Sequence, residues 1–314
     1  MSGVTEAPGA AEAGDDARAS RKLGLYLTLP AQLLVLFIAV FPLLMQLYIS
    51  LTGWSPLTGM GWWNAWSLWN SFQNYVELAV DNRWWSALLR TLLVMVVCVP
   101  AEFLLGLGLA TLFMDNFYGK RAFYSILLMP MMVVPAVAGY MFFMLFQSGG
   151  PVNDLLSTLS GQNIAIAWLS NPSLAMVAVM VADIWQWTPL MFLILLAGLV
   201  GVQEDQLKAA TLLGANWRQR FVTIMLPRMK TIIIIALAIR TIENFKIFDT
   251  LYIMTGGGPG VATETISVYI YKLITNDLNW GYVAAIALVI LLTLSVALGI
   301  AISRMGKAST EVTK

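Results

Sequence analysis

Long apolar runs separated by short polar segments dominate this chain. Six runs can each cross a bilayer, because a transmembrane helix needs about 20 mostly apolar residues. They cover residues 25–50, 87–114, 123–146, 174–200, 228–254 and 282–303. The pattern predicts an all-α, polytopic membrane protein with six transmembrane helices over residues 23–303. A disordered cytoplasmic tail is expected at 1–22, and a second cytoplasmic tail is expected at 304–314. Prolines inside several runs predict kinked helices, whose freed carbonyls neighbouring helices can satisfy.

The distribution of basic residues predicts the orientation. Most of the 18 lysine and arginine residues lie in the two tails, in the segment after the second run, and in the polar segment after the fourth. Only Arg83 and Lys272 fall on the opposite side. Cytoplasmic loops carry the excess of positive charge, so both termini are expected in the cytoplasm.

Composition removes several function classes. The chain is 59% hydrophobic and 11% charged, with a net charge of +1, one cysteine and no histidine. A charge so close to zero gives no field for nucleic acid. The absence of histidine removes the commonest metal ligand and neutral-pH proton carrier, and no metal site is expected. No G-x-x-x-x-G-K-[ST] phosphate loop occurs, so we expect no ATP binding in this chain. With no histidine and a single cysteine, it lacks the usual nucleophile–base pair or metal ligands, so we expect no enzymatic activity and no cofactor.

The predicted outer loop, residues 52–86, is rich in tryptophan. Tryptophan favours the interface between membrane and water. Two interpretations stay open from the pattern: a short helix lying among lipid headgroups, or an aromatic platform for an external partner or a sugar.

The polar segment 203–227 lies between the fourth and fifth runs. Leu207, Ala210 and Leu213 recur every three residues and predict one apolar stripe on a short helix. Gly214 can end that helix. Such a helix can dock in a groove on a partner protein or rest on the lipid surface.

The residues K-A-A at 208–210, G-A at 214–215, Phe221 and L-P at 226–227 resemble the cytoplasmic coupling loop of ABC importer permeases, written EAA…G…F…LP. In that family the loop docks into the ATPase subunit. The resemblance assigns this role to Glu204, Leu207, Lys208, Ala209, Ala210, Leu213, Gly214, Ala215, Arg218 and Phe221. Three positions depart from the pattern, namely Lys208 for Glu, Leu213 for Asp and Gln203 for Pro. The departure at Lys208 implies an altered contact with the ATPase.

A second stretch, R-T-I-E-N-F-K-I-F-D-T-L-Y-I-M-T-G-G-G-P-G at 240–260, resembles carbohydrate importer permeases of the maltose and glycerol-phosphate type. N-Y-V-E-L at 74–78 fits the same family. The resemblance covers most of 25–303 and implies a type I ABC importer permease architecture in a bacterial or archaeal plasma membrane. It also implies the partners: a second permease, two ATP-binding cassette subunits that bind ATP and Mg, and an extracytoplasmic sugar-binding protein.

Ionisable residues inside membrane spans are costly, and each is by default a functional hypothesis. Spacings of i,i+3 predict that Glu243 pairs with Lys246 and that Arg240 pairs with Glu243. Glu102 and Asp183 are the other two ionisable candidates.

Sugars are bound by planar polar groups and aromatic faces, and one segment of the fourth run offers both. The predicted substrate site comprises Asp183, Trp185, Gln186 and Trp187, with Asn244 and Phe245 facing it from the fifth run. The alternative is that Trp185 and Trp187 meet lipid or the partner permease.

The leading hypothesis is therefore the non-catalytic translocation subunit of an ATP-driven carbohydrate importer. A proton- or sodium-driven secondary transporter is the alternative. Such a transporter is expected to have an inverted repeat and ionisable relays at the membrane midplane.

Overall fold

The computed structural model describes the backbone over residues 9–310 and the side chains over residues 26–296. Within these residues the protein is helical and has no β-strand. In chain order the helices are α1 Gly9–Ser50, α2 Gln73–Val80, α3 Asn82–Leu112, α4 Lys120–Met132, α5 Pro135–Leu145, α6 Pro151–Ser160, α7 Pro172–Val200, α8 Glu204–Leu212, α9 Trp217–Arg220, α10 Leu226–Arg228, α11 Lys230–Phe245, α12 Asp249–Thr255, α13 Ile266–Thr275 and α14 Trp280–Thr310. The all-α prediction is confirmed.

The terminal tails differ from their predicted boundaries. Residues 1–8 and 311–314 lie outside the described residues, but α1 starts at Gly9 and α14 ends at Thr310. The structure has helix at residues 9–22, where the sequence predicted disorder, and at 304–310 in the C-terminal tail. Alanine, the strongest helix former, recurs through residues 10–19 and offsets the polar composition on which the disorder prediction rested.

Three helical stretches are long and apolar enough to cross a membrane unaided: Tyr26–Ser50, Asn82–Leu112 and Pro172–Val200. Two bent pairs of helices raise the number to five if each pair is one span. The stretch Trp280–Val296 is apolar but shorter. The count of six spans stays a prediction.

The third predicted span is two helices. α4 and α5 meet at an angle of 98°, and Pro135 begins α5. At the first residue of a helix the backbone N–H has no carbonyl partner within the helix. Proline has no backbone N–H, so it loses no hydrogen bond at this position. By contrast, Pro30, Pro42, Pro100 and Pro189 lie inside helices that continue through them.

The chain folds as two compact units, and the larger contains residues 80–277. Helix α7 is its centre, packed against α3, α4, α5, α11 and α12. Gly106 allows the close approach of α3 to α7, because a Cβ atom there would lie 2.9 Å from the Phe192 nitrogen. Two apolar clusters result: one joins α3, α5, α7, α12 and α13, and the other joins α3, α7 and α11 near the polar segment.

The smaller unit holds the chain up to residue 79 and residues 278–296. After α1 the chain forms short 3-10 segments, Pro56–Thr58 and Trp62–Leu68. The Asn74 amide ties this loop together by donating to the Ser50 carbonyl at 2.8 Å and the Thr52 carbonyl at 2.9 Å. The tryptophan-rich loop thus contains a short 3-10 helix, and its place among lipid headgroups or as an aromatic platform stays a prediction.

The predicted loop 52–86 nevertheless ends earlier than expected. α3 begins at Asn82 because Asp81 caps it, its Oδ1 accepting from the Arg83 and Trp84 nitrogens. Trp84 and Trp85 belong to this helix, and Trp84 is buried. A capping aspartate favours a helix start at this point, so these two tryptophans are removed from the predicted loop.

Candidate functional site

The polar segment after α7 folds as two short helices joined by a tight turn. α8 ends at Leu212, and Gly214 adopts a φ of +84°, a conformation that glycine reaches without steric cost. The Ala215 nitrogen donates to the Ala210 carbonyl at 3.0 Å. Asn216 then caps α9 in a reciprocal pair with Gln219, with distances of 2.8 and 2.9 Å. The predicted helix and its glycine stop are both present.

Both helices of this segment are anchored to the core. Leu207 from α8 and Phe221 after α9 pack against the apolar cluster of α3, α7 and α11. The Arg220 guanidinium on α9 donates to the Thr211 hydroxyl on α8 at 2.8 Å. Trp217 stacks on Phe221 with ring centroids 5.1 Å apart. Both helices of the segment are therefore packed onto the core of the larger unit.

The outer face of the segment is an exposed apolar tip. Leu212 and Leu213 are 90% and 89% exposed, and Gly214 has open space where a Cβ atom would lie. The predicted stripe is corrected here: Leu207 and Ala210 turn toward the core, whereas Leu213 points away. The turn that begins at Leu213 ends the three-residue periodicity on which the stripe depended.

Lys208, the departure from the family pattern, pairs with Glu204 one turn earlier at 2.8 Å. A hydrogen bond from Lys208 lowers the pKa of the exposed Glu204 carboxyl. Ala209 and Arg218 are exposed on the same segment, and Ala215 is half-buried. The exposed surface around the tip is therefore small and mixed in charge.

A buried ion network joins three helices of the larger unit. Arg240 on α11 donates two hydrogen bonds to Glu102 on α3, at 2.5 and 2.7 Å, and one to Asp183 on α7, at 3.0 Å. Asn244, one turn after Arg240, donates to the same Asp183 oxygen at 2.5 Å. The side chains of Arg240 and Glu102 are 1% and 0% exposed. Buried charges of this kind are stable only when they are paired.

This network corrects one predicted pair and leaves another intact. Arg240 does not pair with Glu243, because its guanidinium is directed into the core toward Glu102 and Asp183. The predicted pair of Glu243 with Lys246 is confirmed at 2.9 Å on the exposed side of the helix. Sequence spacing along one helix finds local pairs and cannot find partners 57 and 138 positions away.

A cavity of about 350 Å³ opens beside the network, where α11 breaks before α12. Its lining is polar and aromatic. It comprises Pro135, Asp183, Trp187, Glu243, Lys246, Ile247, Phe248, Asp249 and Thr250. The Trp187 ring lies 5.0 Å from the Arg240 guanidinium carbon and covers it. Phe248 in turn stacks with Tyr252 at 5.2 Å and makes a tilted contact with Tyr271 at 5.1 Å between ring centroids.

The structure separates the six residues of the predicted substrate site. Asp183 and Trp187 line the cavity, and Asn244 bonds to Asp183 behind it. Trp185 packs on Phe142 at 5.3 Å in the apolar cluster. Phe245 is buried and outside the lining.

Gln186, the remaining member, supports the break between α4 and α5. Its amide donates to the Val133 carbonyl at 2.9 Å, and its oxygen accepts from Thr250 at 3.3 Å. Phe248, Asp249 and Thr250 escaped the sequence prediction. Helical spacing could not identify them, because α11 ends at Phe245 and the chain turns before α12 begins at Asp249.

A second charged cluster lies in the linker between α12 and α13. Glu264 accepts from Arg83 at 2.8 and 3.0 Å and from Lys272 at 2.8 Å. Burial by itself would raise the pKa of Glu264, but the hydrogen bonds from Arg83 and Lys272 outweigh it and hold the pKa below its usual value. These pairs connect α3, the linker and α13.

A family model described as binding-protein-dependent transport system inner membrane component matches residues 75–304. The chain belongs to this family of permeases. Such permeases are the non-catalytic, multi-pass membrane components of ABC importers. The alternative of a secondary transporter driven by protons or sodium is therefore wrong.

Curated relatives cover most of the permease. A trehalose transport system permease protein, SugA, of Mycobacterium tuberculosis is 33% identical over 298 residues, 93% of this chain and 91% of the relative. A sulfoquinovosyl glycerol transport system permease protein, SmoG, of Agrobacterium fabrum is 34% identical over 270 residues, 86% of this chain and 85% of the relative.

Solved structures share the fold of the permease. One chain of a bacterial ABC transporter that imports the acidic polysaccharide alginate superposes with a TM-score of 0.74 at 18% identity. The match covers 95% of this chain and 99% of the other. A second, of the alginate transporter in complex with its pentasaccharide-bound periplasmic protein, has a TM-score of 0.72 at 19% identity. These likenesses concern the fold alone.

Proposed function

We propose that this permease is the translocation subunit of an ATP-driven carbohydrate importer and that the sugar passes through the cavity beside α7 and the break between α11 and α12. The observation that carries the proposal is the combination of groups around that cavity. Carboxylates and a threonine hydroxyl stand next to the faces of Trp187 and Phe248. Polar groups that fix orientation within a partly aromatic wall are typical of small-molecule sites.

The relatives support carbohydrate as the substrate class. SugA is named for trehalose and SmoG for sulfoquinovosyl glycerol, and both match this chain over most of its length. Both are transport-system permeases, so the same role is proposed here with an extracytoplasmic sugar-binding protein that delivers the substrate. A second permease would complete the pathway, and two ATP-binding cassette subunits would bind ATP and Mg. Membrane lipid would surround the assembly.

The exposed tip formed by Leu212 and Leu213 is proposed to dock into an ATPase subunit. Two leucines that are almost fully exposed beside a rigid turn suit a groove on a partner protein. The anchoring of α8 and α9 through Leu207 and Phe221 would transmit ATP-driven closure to α7 and α11. The basic residues around this segment support a cytoplasmic position for it and for both termini.

Two variants test the proposal in the complete complex reconstituted with its partners. Trp187→Ala should lower sugar uptake about tenfold, equivalent to roughly 1.4 kcal/mol of lost stabilisation, with basal ATPase retained. Leu213→Asp should leave the subunits associated and abolish the stimulation of ATPase by the loaded binding protein. Leu159→Asp is the matched control, because Leu159 is also exposed but lies on α6. Full uptake by Trp187→Ala would refute the pathway, and full stimulation by Leu213→Asp would refute the docking tip.

A further inference from the structure

We propose that the cavity selects uncharged carbohydrates and excludes anionic ones through the carboxylate of Asp249, whose charge no cation in the lining offsets. This inference deepens the proposed function and rests on it. Three carboxylates line the cavity, those of Asp183, Glu243 and Asp249, and Lys246 is the single lysine or arginine in the lining. The formal charge of the lining is therefore negative.

The cation in the lining is already neutralised. Lys246 holds Glu243 at 2.9 Å, in a pair that both side chains keep partly exposed. Asp249 is exposed and has no ion-pair partner among the described residues. An entering molecule thus meets one neutral pair and one carboxylate whose charge nothing in the lining offsets.

The nearby arginine cannot serve as an anion site. Three oxygens of Glu102 and Asp183 already occupy the Arg240 donors that face them, and the Trp187 ring covers the guanidinium at 5.0 Å. A sulfonate, phosphate or uronate group would have to displace a buried carboxylate to reach it. Hydroxyl groups meet no such obstacle, because they donate to carboxylate oxygens and leave the ion network closed.

The field of this lining would repel an acidic carbohydrate before the two make contact. A cleft with walls of low dielectric focuses its field and changes the rate at which ions arrive by about tenfold or more. The same field acts on any charged probe of similar size, so selectivity can be measured separately from transport.

The test uses thiol probes in the complete complex. Phe248→Cys is introduced together with Cys98→Ala, which removes the one native thiol. Three methanethiosulfonates are compared that carry a trimethylammonium, an uncharged hydroxyethyl or a sulfonate group, each rate being divided by that reagent's rate with free cysteine. The cationic probe should react about tenfold faster than the anionic one. Asp249→Asn should reduce this ratio, whereas Asp154→Asn, which removes an exposed carboxylate on α6, should leave it unchanged.

The outcomes separate the inference from the proposed function. Equal rates, a preference for the anionic probe, or no reaction in either the ATP-free or the ATP-bound complex would overturn charge selection. The pathway itself is tested by labelling Phe248→Cys to completion with the uncharged reagent, as verified by mass spectrometry. Loss of sugar uptake would support the pathway, and undiminished uptake would refute it whatever the charge ratio.

Discussion

Replacing Arg240 with alanine would leave two carboxylates buried without their cation. Glu102 would lose both of its charge-assisted hydrogen bonds, at 2.5 and 2.7 Å, and Asp183 would lose its charged donor at 3.0 Å while keeping the neutral donor from Asn244. Breaking a buried ion pair by removing one partner destabilises a protein by about 3–5 kcal/mol. The cost is large because the remaining charges cannot regain their hydration inside the helix bundle.

A matched control comes from the same helix region. Lys246→Ala also removes one cation and one ion pair, but Lys246 and Glu243 are 58% and 44% exposed. An exposed pair contributes about 0.2–1 kcal/mol. The double variant Glu102→Leu with Arg240→Leu should recover part of the loss from Arg240→Ala, because replacing a buried pair by apolar groups is often close to neutral.

The free energy of unfolding would be measured for the purified complex in detergent, from the loss of helical circular dichroism with increasing denaturant. Arg240→Ala should shift the midpoint strongly downward, and Lys246→Ala should remain near the unmodified protein. Similar midpoints for the two alanine variants would refute the closed ion network. So would a double variant that is less stable than Arg240→Ala.

Three further predictions follow from local geometry. Gly214→Ala should destabilise α8 by about 1–2 kcal/mol through its left-handed backbone and reduce coupled ATPase, whereas Gly214→Asn should do so less; equal effects would contradict the backbone argument. Gly106→Ala should lower the thermal midpoint of the complex, because the new Cβ atom would lie 2.9 Å from the Phe192 nitrogen; an unchanged midpoint would mean that α3 and α7 can separate freely. Because the pKa of Glu264 is lowered in the folded protein, its pairing with Lys272 stabilises the fold above about pH 4.3 and is lost as the pH falls further. Glu264→Gln should therefore flatten the dependence of stability on pH in that acidic range, and an unaltered acid limb would contradict the assignment.

Local patterns in the chain were sufficient for the helical class, the family and the short helix and turn of the polar segment 203–227. Hydrophobicity over some 20 residues reports immersion in a bilayer whatever the tertiary contacts are. The glycine stop at Gly214 depends only on neighbouring backbone, and the pair of Glu243 with Lys246 only on the pitch of one helix. These features can be predicted from sequence because each depends on interactions among residues that are close together in the chain.

Other features depended on which helices meet. Arg240 finds Glu102 and Asp183 only because α3, α7 and α11 pack side by side. Trp185 and Trp187 are two positions apart but lie in different surroundings. Trp185 packs in the apolar cluster, whereas Trp187 lines the cavity. The carboxylate of Asp249 lines the cavity because α11 ends and α12 begins at this point. Sequence by itself therefore determined the helical membrane class and the polar segment 203–227 with its glycine stop, because short-range physics sets both. Only the tertiary structure decided the ion network and the charge of the cavity, since both require side chains from separate helices to meet at one point.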